Sequence, residues 1–300
     1  RGRGSGARRP RPLTDADRDA RGPARNGSRR PVAAGGSGSI VAMGSTKRGR
    51  QLPGDGLPER ARGFTTRAIR AATTPPAVDQ APSAVPIYQA ATFASETAAE
   101  LGAVATGTTP GHAYSRISNP TTDALADAIA VLEGAPAAAV LASGMAAIHA
   151  ALVSLVSAGD RIVATRSIYG STRSLLDGVL GRLGIPTTYV DITDLASVEA
   201  ALAASRPALL YVETISNPTV VVADLAALAD LAHAHGARLV VDSTFASPYL
   251  VRPLELGADL VVHSATKFLS GHSDVLAGAV VGAPDAIAAV RRGIVDTGGT

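Results

Sequence analysis

The stretch RLVVDSTFASPYLVRPLELGADLVVHSATK, residues 238–267, contains two short apolar runs, Arg238–Val241 and Leu260–His263, each followed directly by polar side chains. Runs of about four residues rich in Val and Leu are typical of strands that are buried on both faces of a sheet. Asp242 follows the first run and Lys267 lies just beyond the second. Ligands of open α/β sheets bind at the carboxyl ends of strands, so we expect these two side chains to share a site.

The same alternation continues through the chain from residue 137 onward. Short runs of Val, Ile and Leu alternate with amphipathic stretches rich in Ala and Leu, which predicts an α/β fold: a mostly parallel sheet with helices on both faces. The predicted strands lie near residues 138–141, 161–164, 187–190, 208–212, 238–241, 260–263 and 277–281. The predicted helices lie near residues 145–156, 172–183, 195–204 and 225–235.

Composition excludes several classes of protein. The 300 residues are 46% hydrophobic and 18% charged, which allows a sizeable core in about two domains. No cysteine is present, so disulfide frameworks, thiolate metal sites and thiol nucleophiles are excluded. No uncharged apolar run approaches the ~18 residues that a membrane span requires. We therefore expect a soluble protein, in the cytoplasm, with no membrane partner.

Charge is distributed unevenly along the chain. Residues 1–63 hold 15 basic and 5 acidic side chains, a balance of +10, and the remaining residues hold 13 and 20, a balance of −7. The basic tail is rich in Arg, Gly and Pro, so we expect it to be disordered. A nucleic-acid-binding arm, a transit peptide and sequence upstream of a start at Met43 are competing interpretations. We favour the last, or plain disorder, because the tail lacks the aromatic residues that stack on bases.

Two further segments are predicted beyond the tail. Residues 64–115 contain many Thr, Pro and Gly residues, which favours an extended arm with short helices. Residues 116–300 hold the alternating strands and helices and form the predicted large domain.

The first candidate site residues follow the predicted strand that ends at Leu141. Ser143 and Gly144 open a helix there, and the free N–H groups of a helix start suit an anion such as phosphate. An ordinary helix N-cap is the alternative interpretation. Neither the P-loop nor the Gly-x-Gly-x-x-Gly pattern occurs, so ATP and nicotinamide cofactors lose their main sequence support.

Lys267 is one of only two lysines in the chain, beside 26 arginines. A lysine amine can lose its proton and attack a carbonyl to form a Schiff base, which an arginine cannot do. A phosphate-binding helix start, an acid at a strand end and an isolated lysine together meet the needs of pyridoxal 5'-phosphate. We therefore predict pyridoxal 5'-phosphate as the cofactor, although Asp242 could also be a simple N-cap.

Several longer motifs then occur in a characteristic order. They are HAYSRISNPT (112–121), ASGMAAI (142–148), YG (169–170), ETISNP (213–218), VDSTF (241–245) and PLELGADLVVHSATKFLSGHSD (253–274). These motifs resemble the Cys/Met-metabolism, or trans-sulfuration, family of fold-type I pyridoxal-phosphate enzymes, and the likeness runs from about residue 64 to residue 300. The resemblance implies a fold-type I large domain. It also implies a smaller C-terminal domain, which supplies an arginine for the substrate carboxylate. Arg291 and Arg292 do not match that arginine, so we expect the chain to be a fragment that lacks this domain.

The resemblance also assigns roles to individual residues. It makes Lys267 the residue that carries the cofactor and then shuttles protons, Asp242 the partner of the pyridinium nitrogen, and Tyr169 the aromatic that stacks on the ring and assists elimination. Further cofactor contacts are implied at Ser143, Gly144, Met145, Ser264 and Thr266 around the phosphate, at Asn217 near the ring hydroxyl and at Thr244 beside the ring. Tyr114 and Arg116 match residues that reach the phosphate of a neighbouring subunit, which implies a homo-oligomer, a dimer of dimers.

The activity implied by the resemblance is γ-elimination or γ-replacement on homoserine-derived or sulfur-containing amino acids. We favour cystathionine γ-synthase or cystathionine γ-lyase activity. O-acylhomoserine sulfhydrylase, methionine γ-lyase and β-lyase activities remain alternatives. Ser171 stands where methionine γ-lyases usually carry Cys, which weakens that alternative. Nucleic-acid binding through the Arg-rich tail is a remote alternative.

No metal site is predicted. His233 and His235 lie on a predicted helix that lacks a matching acidic pair. His263 and His272 flank the lysine, and we interpret them as structural hydrogen-bonding groups rather than ligands or general bases.

Overall fold

The structure is a computed structural model that describes residues 83–300. The predictions for the basic tail, residues 1–63, and for residues 64–82 of the arm lie outside the described residues. The described part of the arm contains one helix, α1 (Ala98–Ala105), and an isolated bridge between Thr92 and Tyr114.

Residues 120–300 alternate helices and strands. The helices are α2 (Pro120–Glu133), α3 (Gly144–Val153), α4 (Gly170–Ser174), α5 (Leu195–Ser205), α6 (Leu225–Ala234), α7 (Ser247–Leu250) and α8 (Pro284–Thr297). The strands are β1 (Ala137–Leu141), β2 (Ile162–Thr165), β3 (Thr187–Val190), β4 (Leu209–Glu213), β5 (Arg238–Asp242), β6 (Leu260–His263) and β7 (Gly278–Gly282). All seven predicted strands are confirmed to within one residue at each end.

The segment predicted as one helix over residues 172–183 is helical, but it is not a regular α-helix. The segment consists of α4, a π-helical turn (Leu175–Leu180) and a 3₁₀ turn (Gly181–Leu183) in succession. Gly178 and Gly181 lie inside it, and glycine destabilises a regular α-helix interior by about 1 kcal/mol relative to alanine.

The strands form a single sheet in the order β1-β7-β6-β5-β4-β2-β3. Strand β7 runs antiparallel to both of its neighbours, β1 and β6, and the other pairings are parallel. The predicted mostly parallel sheet is therefore confirmed, with one antiparallel strand inserted next to the edge strand β1.

Each face of the sheet has its own apolar core. Leu209 and Tyr211 of β4 pack on the face covered by α3, the π-helical turn and α8, and Leu210 and Val212 pack on the face covered by α2, α5 and α6. Because successive strand residues point to opposite faces, a strand covered on both sides is apolar over most of its length, as β4 is up to Glu213 and β5 is between Arg238 and Asp242. This is why the strands appear in the sequence as continuous apolar runs.

Helix α2 is defined at both ends by its sequence. The Asn119 side chain accepts a hydrogen bond from the backbone N–H of Thr121 at 2.9 Å, and Pro120 occupies the first helical position, where its missing N–H costs nothing. Gly134 ends the helix with φ of 66°, a left-handed conformation that glycine adopts without strain.

The last residue of α2 is tied to the sheet by a buried polar pair. The Oε1 atom of Glu133 lies 2.5 Å from the Nε2 atom of His263 at the end of β6, and both side chains are almost fully buried. His263 thus makes the structural hydrogen bond that was predicted for it. In the part of the chain from residue 83 onward, no helix is both long enough and apolar enough to cross a membrane.

Candidate functional site

A cavity of about 230 Å³ opens at the carboxyl ends of β4, β5 and β6, beside the start of α3. Ten of the twelve predicted site residues line it: Ser143, Gly144, Met145, Tyr169, Asn217, Asp242, Thr244, Ser264, Thr266 and Lys267. Ile148, Glu213, Ile215, Phe245 and Leu276 complete the lining. The residues singled out in the sequence are therefore brought to one place by the sheet.

One wall of the cavity is the start of α3. Ser143 is the N-cap, and its Oγ atom accepts a hydrogen bond from the N–H of Ala146 at 3.1 Å. The N–H groups of Gly144 and Met145 have no acceptor within the helix, as in any first helical turn, so they are available to an anion.

Gly144 allows a very close contact between this helix start and the segment after β6. A Cβ atom at position 144 would lie 2.6 Å from the Cβ atom of Ser264, closer than real side chains approach one another. The N–H of Ser264 in turn donates to Thr244 Oγ1 at 2.8 Å, which connects this segment to the end of β5. The resulting cradle of small and hydroxyl-bearing residues suits a phosphate group.

Asp242 lies at the base of the cavity with both carboxylate oxygens in use. Its Oδ1 atom accepts hydrogen bonds from the N–H and the hydroxyl of Thr244 at 3.0 and 2.6 Å, and its Oδ2 atom accepts one from the hydroxyl of Tyr211 at 3.2 Å. Burial raises the pKa of Asp242 above its ordinary value, and the hydrogen bonds from Thr244 oppose that shift. A cationic N–H group bound in the cavity would stabilise the ionised form of this carboxylate.

Glu213 is a second buried carboxylate, directly beside Asp242 because the two residues are paired across β4 and β5. Its Oε1 atom accepts a hydrogen bond from the N–H of Tyr169 at 2.7 Å, and its Oε2 atom accepts one from the N–H of Asn217 at 3.1 Å. Burial raises the pKa of Glu213 to about 7, and the nearby Asp242 adds to the shift.

Sequence reasoning gave no role to Glu213 or Tyr211. The signal for Glu213 was present, because it ends a buried parallel strand just as Asp242 does. Tyr211 carries no comparable signal, since a tyrosine inside an apolar run is indistinguishable from a core aromatic.

Lys267 lies at the mouth of the cavity, and its side chain is exposed. Its segment is held by the neighbouring Thr266, whose N–H and hydroxyl both donate to the carbonyl of Ala277 at 3.1 and 3.0 Å. The N–H of Ala277 donates back to Thr266 Oγ1 at 3.0 Å. The lysine therefore projects from a loop that is fastened at its base.

Tyr114 and Arg116 do not line this cavity. The Arg116 guanidinium lies over the Tyr114 ring, 5.3 Å from its centroid, and donates a hydrogen bond to the carbonyl of Val295. Arg116 lines a separate cavity of about 250 Å³ together with Arg291. Their role at a neighbouring subunit stays a prediction.

The other histidine beside the lysine, His272, places its Nδ1 atom 3.0 Å from the carbonyl oxygen of Ser270. Within residues 83–300, no group of three His, Asp or Glu side chains is arranged to hold a metal ion.

Known proteins resemble this chain over most of its length. Residues 65–300 match the family described as Cys/Met metabolism PLP-dependent enzyme. The L-methionine gamma-lyase of Pseudomonas putida is 45% identical over 239 residues, which cover 79% of this chain and 59% of that protein.

Two solved structures match in fold as well as sequence. The cystathionine gamma-lyase of Lactobacillus plantarum, solved with L-serine, has a TM-score of 0.65 and 41% identity, covering 72% of this chain and 54% of that one. A Campylobacter jejuni protein assigned as an O-acetylhomoserine (thiol)-lyase has a TM-score of 0.64 and 36% identity, covering 67% of this chain and 50% of that one. Its structure contains N'-pyridoxyl-lysine-5'-monophosphate. The chain thus spans between half and three fifths of the length of these three proteins.

Proposed function

The chain belongs to the Cys/Met-metabolism family of pyridoxal-phosphate-dependent enzymes, and we propose that it forms the cofactor-binding part of a γ-elimination or γ-replacement enzyme for sulfur-containing amino acids. One observation carries the proposal. The helix start at Ser143, the carboxylate of Asp242 and the side chain of Lys267 all line a single cavity, although they are far apart in the sequence.

The residues around the cavity fit the cofactor at both of its ends. The N–H groups at the start of α3 and the hydroxyl groups of Ser143, Ser264 and Thr266 would hold the phosphate. Gly144 lets the helix start approach Ser264 closely enough to form this cradle, since any side chain at position 144 would meet Ser264. Asp242 would accept a hydrogen bond from the protonated ring nitrogen, which turns an otherwise unfavourable buried charge into a paired one.

When bound, pyridoxal 5'-phosphate supplies an aldehyde that links to a lysine amine and a ring that withdraws electrons from the amino acid. Lys267 is the amine that lies at this cavity, and its flexible stem allows it to reach both the aldehyde and the substrate carbons. Once its amine is free, it can accept a proton from Cα or Cβ of the amino acid and deliver it elsewhere.

Beside Lys267, Tyr169 is the other residue at the cavity to which we give a part in the reaction. Tyr169 is 42% exposed, and its backbone N–H donates a hydrogen bond to Glu213. The backbone position is therefore fixed, while the ring remains accessible to a bound molecule. We propose that this ring stacks on the cofactor and that its hydroxyl assists departure of the γ-substituent.

Thioether amino acids are the proposed substrates, with cystathionine and methionine as the two candidates. Support comes from the relatives named L-methionine gamma-lyase and cystathionine gamma-lyase. The second candidate is γ-replacement on an O-acylated homoserine, in which a thiol takes the place of the acyloxy group. It is supported by the relative assigned as an O-acetylhomoserine (thiol)-lyase. Analysis of the products from cystathionine, methionine, O-acetylhomoserine and O-succinylhomoserine separates the candidates, and turnover of none of them would contradict the proposed activity.

The visible absorbance of the protein with added pyridoxal 5'-phosphate tests the cofactor site. We expect a Schiff-base absorbance band in the unaltered chain and in Lys47→Ala, and loss of the band in Lys267→Ala. Lys47 is the matched control because it is the only other lysine in the sequence. A band that persists in Lys267→Ala would contradict the assignment of this lysine.

A further inference from the structure

Glu213 joins two separate segments of the cavity wall through their backbones. Tyr169 precedes it by 44 residues, at the start of α4, and Asn217 follows it by four residues, in the loop after β4. One carboxylate therefore connects the segments that carry the proposed ring-stacking residue and the proposed partner of the ring hydroxyl.

Only an ionised carboxylate can serve both N–H groups at full strength. Its two oxygens are both acceptors, whereas the isosteric amide of glutamine offers one oxygen acceptor and an NH₂ group that would face the second N–H donor. The residue is only 4% exposed, so water has little room to replace a lost acceptor. Hydrogen bonds to a charged acceptor are also roughly twice as strong as neutral ones.

The loop that carries Asn217 is itself well fixed. Ser216 is fully buried, its N–H donates to the carbonyl of Val221 at 2.9 Å, and the N–H of Val221 donates to Ser216 Oγ at 2.8 Å. Val220 has φ of 54°, a left-handed conformation that is strained for a β-branched residue and persists only where its surroundings impose it. The loop is therefore held together by its own contacts, and Glu213 connects it to the segment of Tyr169.

We infer that Glu213 is a positioning residue whose ionised carboxylate sets Tyr169 and Asn217 as a single unit at the cavity. The inference rests on the proposed function for the roles of those two residues. The coupling itself is a property of the protein without cofactor, because both hydrogen bonds are formed between groups of this chain.

Asp259 offers a matched control at the opposite edge of the sheet. Its Oδ2 atom also accepts a hydrogen bond from a backbone N–H, that of Leu239 at the start of β5, at 2.7 Å. It does not line the cavity. The same Oδ2 atom lies 3.0 Å from His233 Nε2. Asp259→Asn makes the same change from carboxylate to amide without touching the proposed site, and its remaining oxygen can still accept from the N–H of Leu239.

Amide hydrogen exchange of the cofactor-free protein at pH 8 tests the coupling directly. We expect Glu213→Gln to speed exchange at both Tyr169 and Asn217 by about tenfold, and Asp259→Asn to leave exchange at both residues unchanged. Unchanged exchange at Tyr169 and Asn217, or a change at only one of them, would overturn the inference. If Glu213→Gln does not fold, Glu213→Asp takes its place, because it keeps the charge and shortens the side chain. The expected result is again faster exchange at both Tyr169 and Asn217.

A cofactor titration then shows whether the coupling matters for the site. We expect Glu213→Gln to bind pyridoxal 5'-phosphate about tenfold more weakly and to alter the visible circular dichroism of the bound cofactor. Asp259→Asn should change neither. Equal affinity and equal dichroism in Glu213→Gln and the unaltered chain would overturn the positioning role. Absence of binding by the unaltered chain would instead contradict the proposed function, and the exchange experiment would still decide the coupling.

Discussion

Buried acidic side chains lie on both faces of the sheet at the same edge, but the two faces differ in what surrounds these side chains. On the face covered by α2, Glu133 is paired with His263 in a closed contact of 2.5 Å. On the face covered by α3, Glu213 and Asp242 lie side by side and accept hydrogen bonds from N–H and hydroxyl groups at the base of a cavity. The first arrangement is a pair of side chains within the protein, in which Glu133 Oε2 and His263 Nδ1 have no hydrogen-bond partner. The second faces a cavity in which, under the proposed function, a cationic group would bind. A buried acid beside an open cavity is therefore a stronger sign of function than a buried acid as such.

The largest expected effect concerns the pair formed by Glu133 and His263, called here the closed pair. Glu133→Ala leaves the buried His263 without its partner, so we expect the free energy of unfolding to fall by about 3–5 kcal/mol. Denaturant unfolding measures this loss, and cofactor affinity of the folded protein should be unchanged. A loss below about 1 kcal/mol would show that the closed pair does not hold α2 against the sheet.

Glu213, which lies beside Asp242 at the cavity, should make the free energy of unfolding depend on pH. The pKa of Glu213 is about 7 in the folded protein and near its ordinary value of 4.5 in the unfolded chain, so the folded state binds more protons between these values. Stability of the cofactor-free protein should therefore fall by roughly 3 kcal/mol as the pH rises from 4.5 to 7. Unfolding at several pH values, compared with Glu213→Gln, isolates this contribution, since glutamine does not titrate. Parallel pH profiles of the two proteins would contradict it.

Asp242→Asn should separate binding from stability. Under the proposed function, loss of the charge that would pair with the cofactor ring is expected to weaken pyridoxal 5'-phosphate binding by about 30-fold, or roughly 2 kcal/mol. The free energy of unfolding at neutral pH should not fall, because burial already raises the pKa of this carboxyl. A cofactor titration and an unfolding curve of the same variant measure both. A large loss of stability with unchanged affinity would place Asp242 with the structural pair instead.

The smallest expected effect is that of Tyr211→Phe. The change keeps the buried ring and removes only the hydroxyl that donates to Asp242 Oδ2, so cofactor affinity should fall about fivefold, or roughly 1 kcal/mol. The same titration measures it. An effect as large as that of Asp242→Asn would mean that the hydroxyl does more than orient the carboxylate.

Much of the fold was predictable because the strands are covered on both faces and so appear as continuous apolar runs. The direction of β7 was not, since an apolar run carries no information about direction, which the pairing with β1 and β6 decides. Helix α2 was not predicted either. Val131 and Leu132 are 78% and 53% exposed, and apolar residues on the outer side blur the helical periodicity.

The candidate site was predictable where chemistry selects an unusual residue, such as the isolated Lys267 or the helix start at Ser143. Glu213 was missed because its partners are the backbone N–H groups of Tyr169 and Asn217. Backbone groups are the same in every residue, so no pattern of side chains reveals which of them a carboxylate will bind.

The fastening of Thr266 to Ala277 has a kinetic consequence for the lysine next to it. Because the base of the loop is held by these hydrogen bonds, the reach of the Lys267 amine is set by its own four-carbon stem. Under the proposed function, an amine confined in this way would meet an aldehyde held in the same cavity at a high effective molarity, so that the encounter would behave as an intramolecular one. Loosening this one contact would enlarge the volume that the amine must search, without removing any group that reacts.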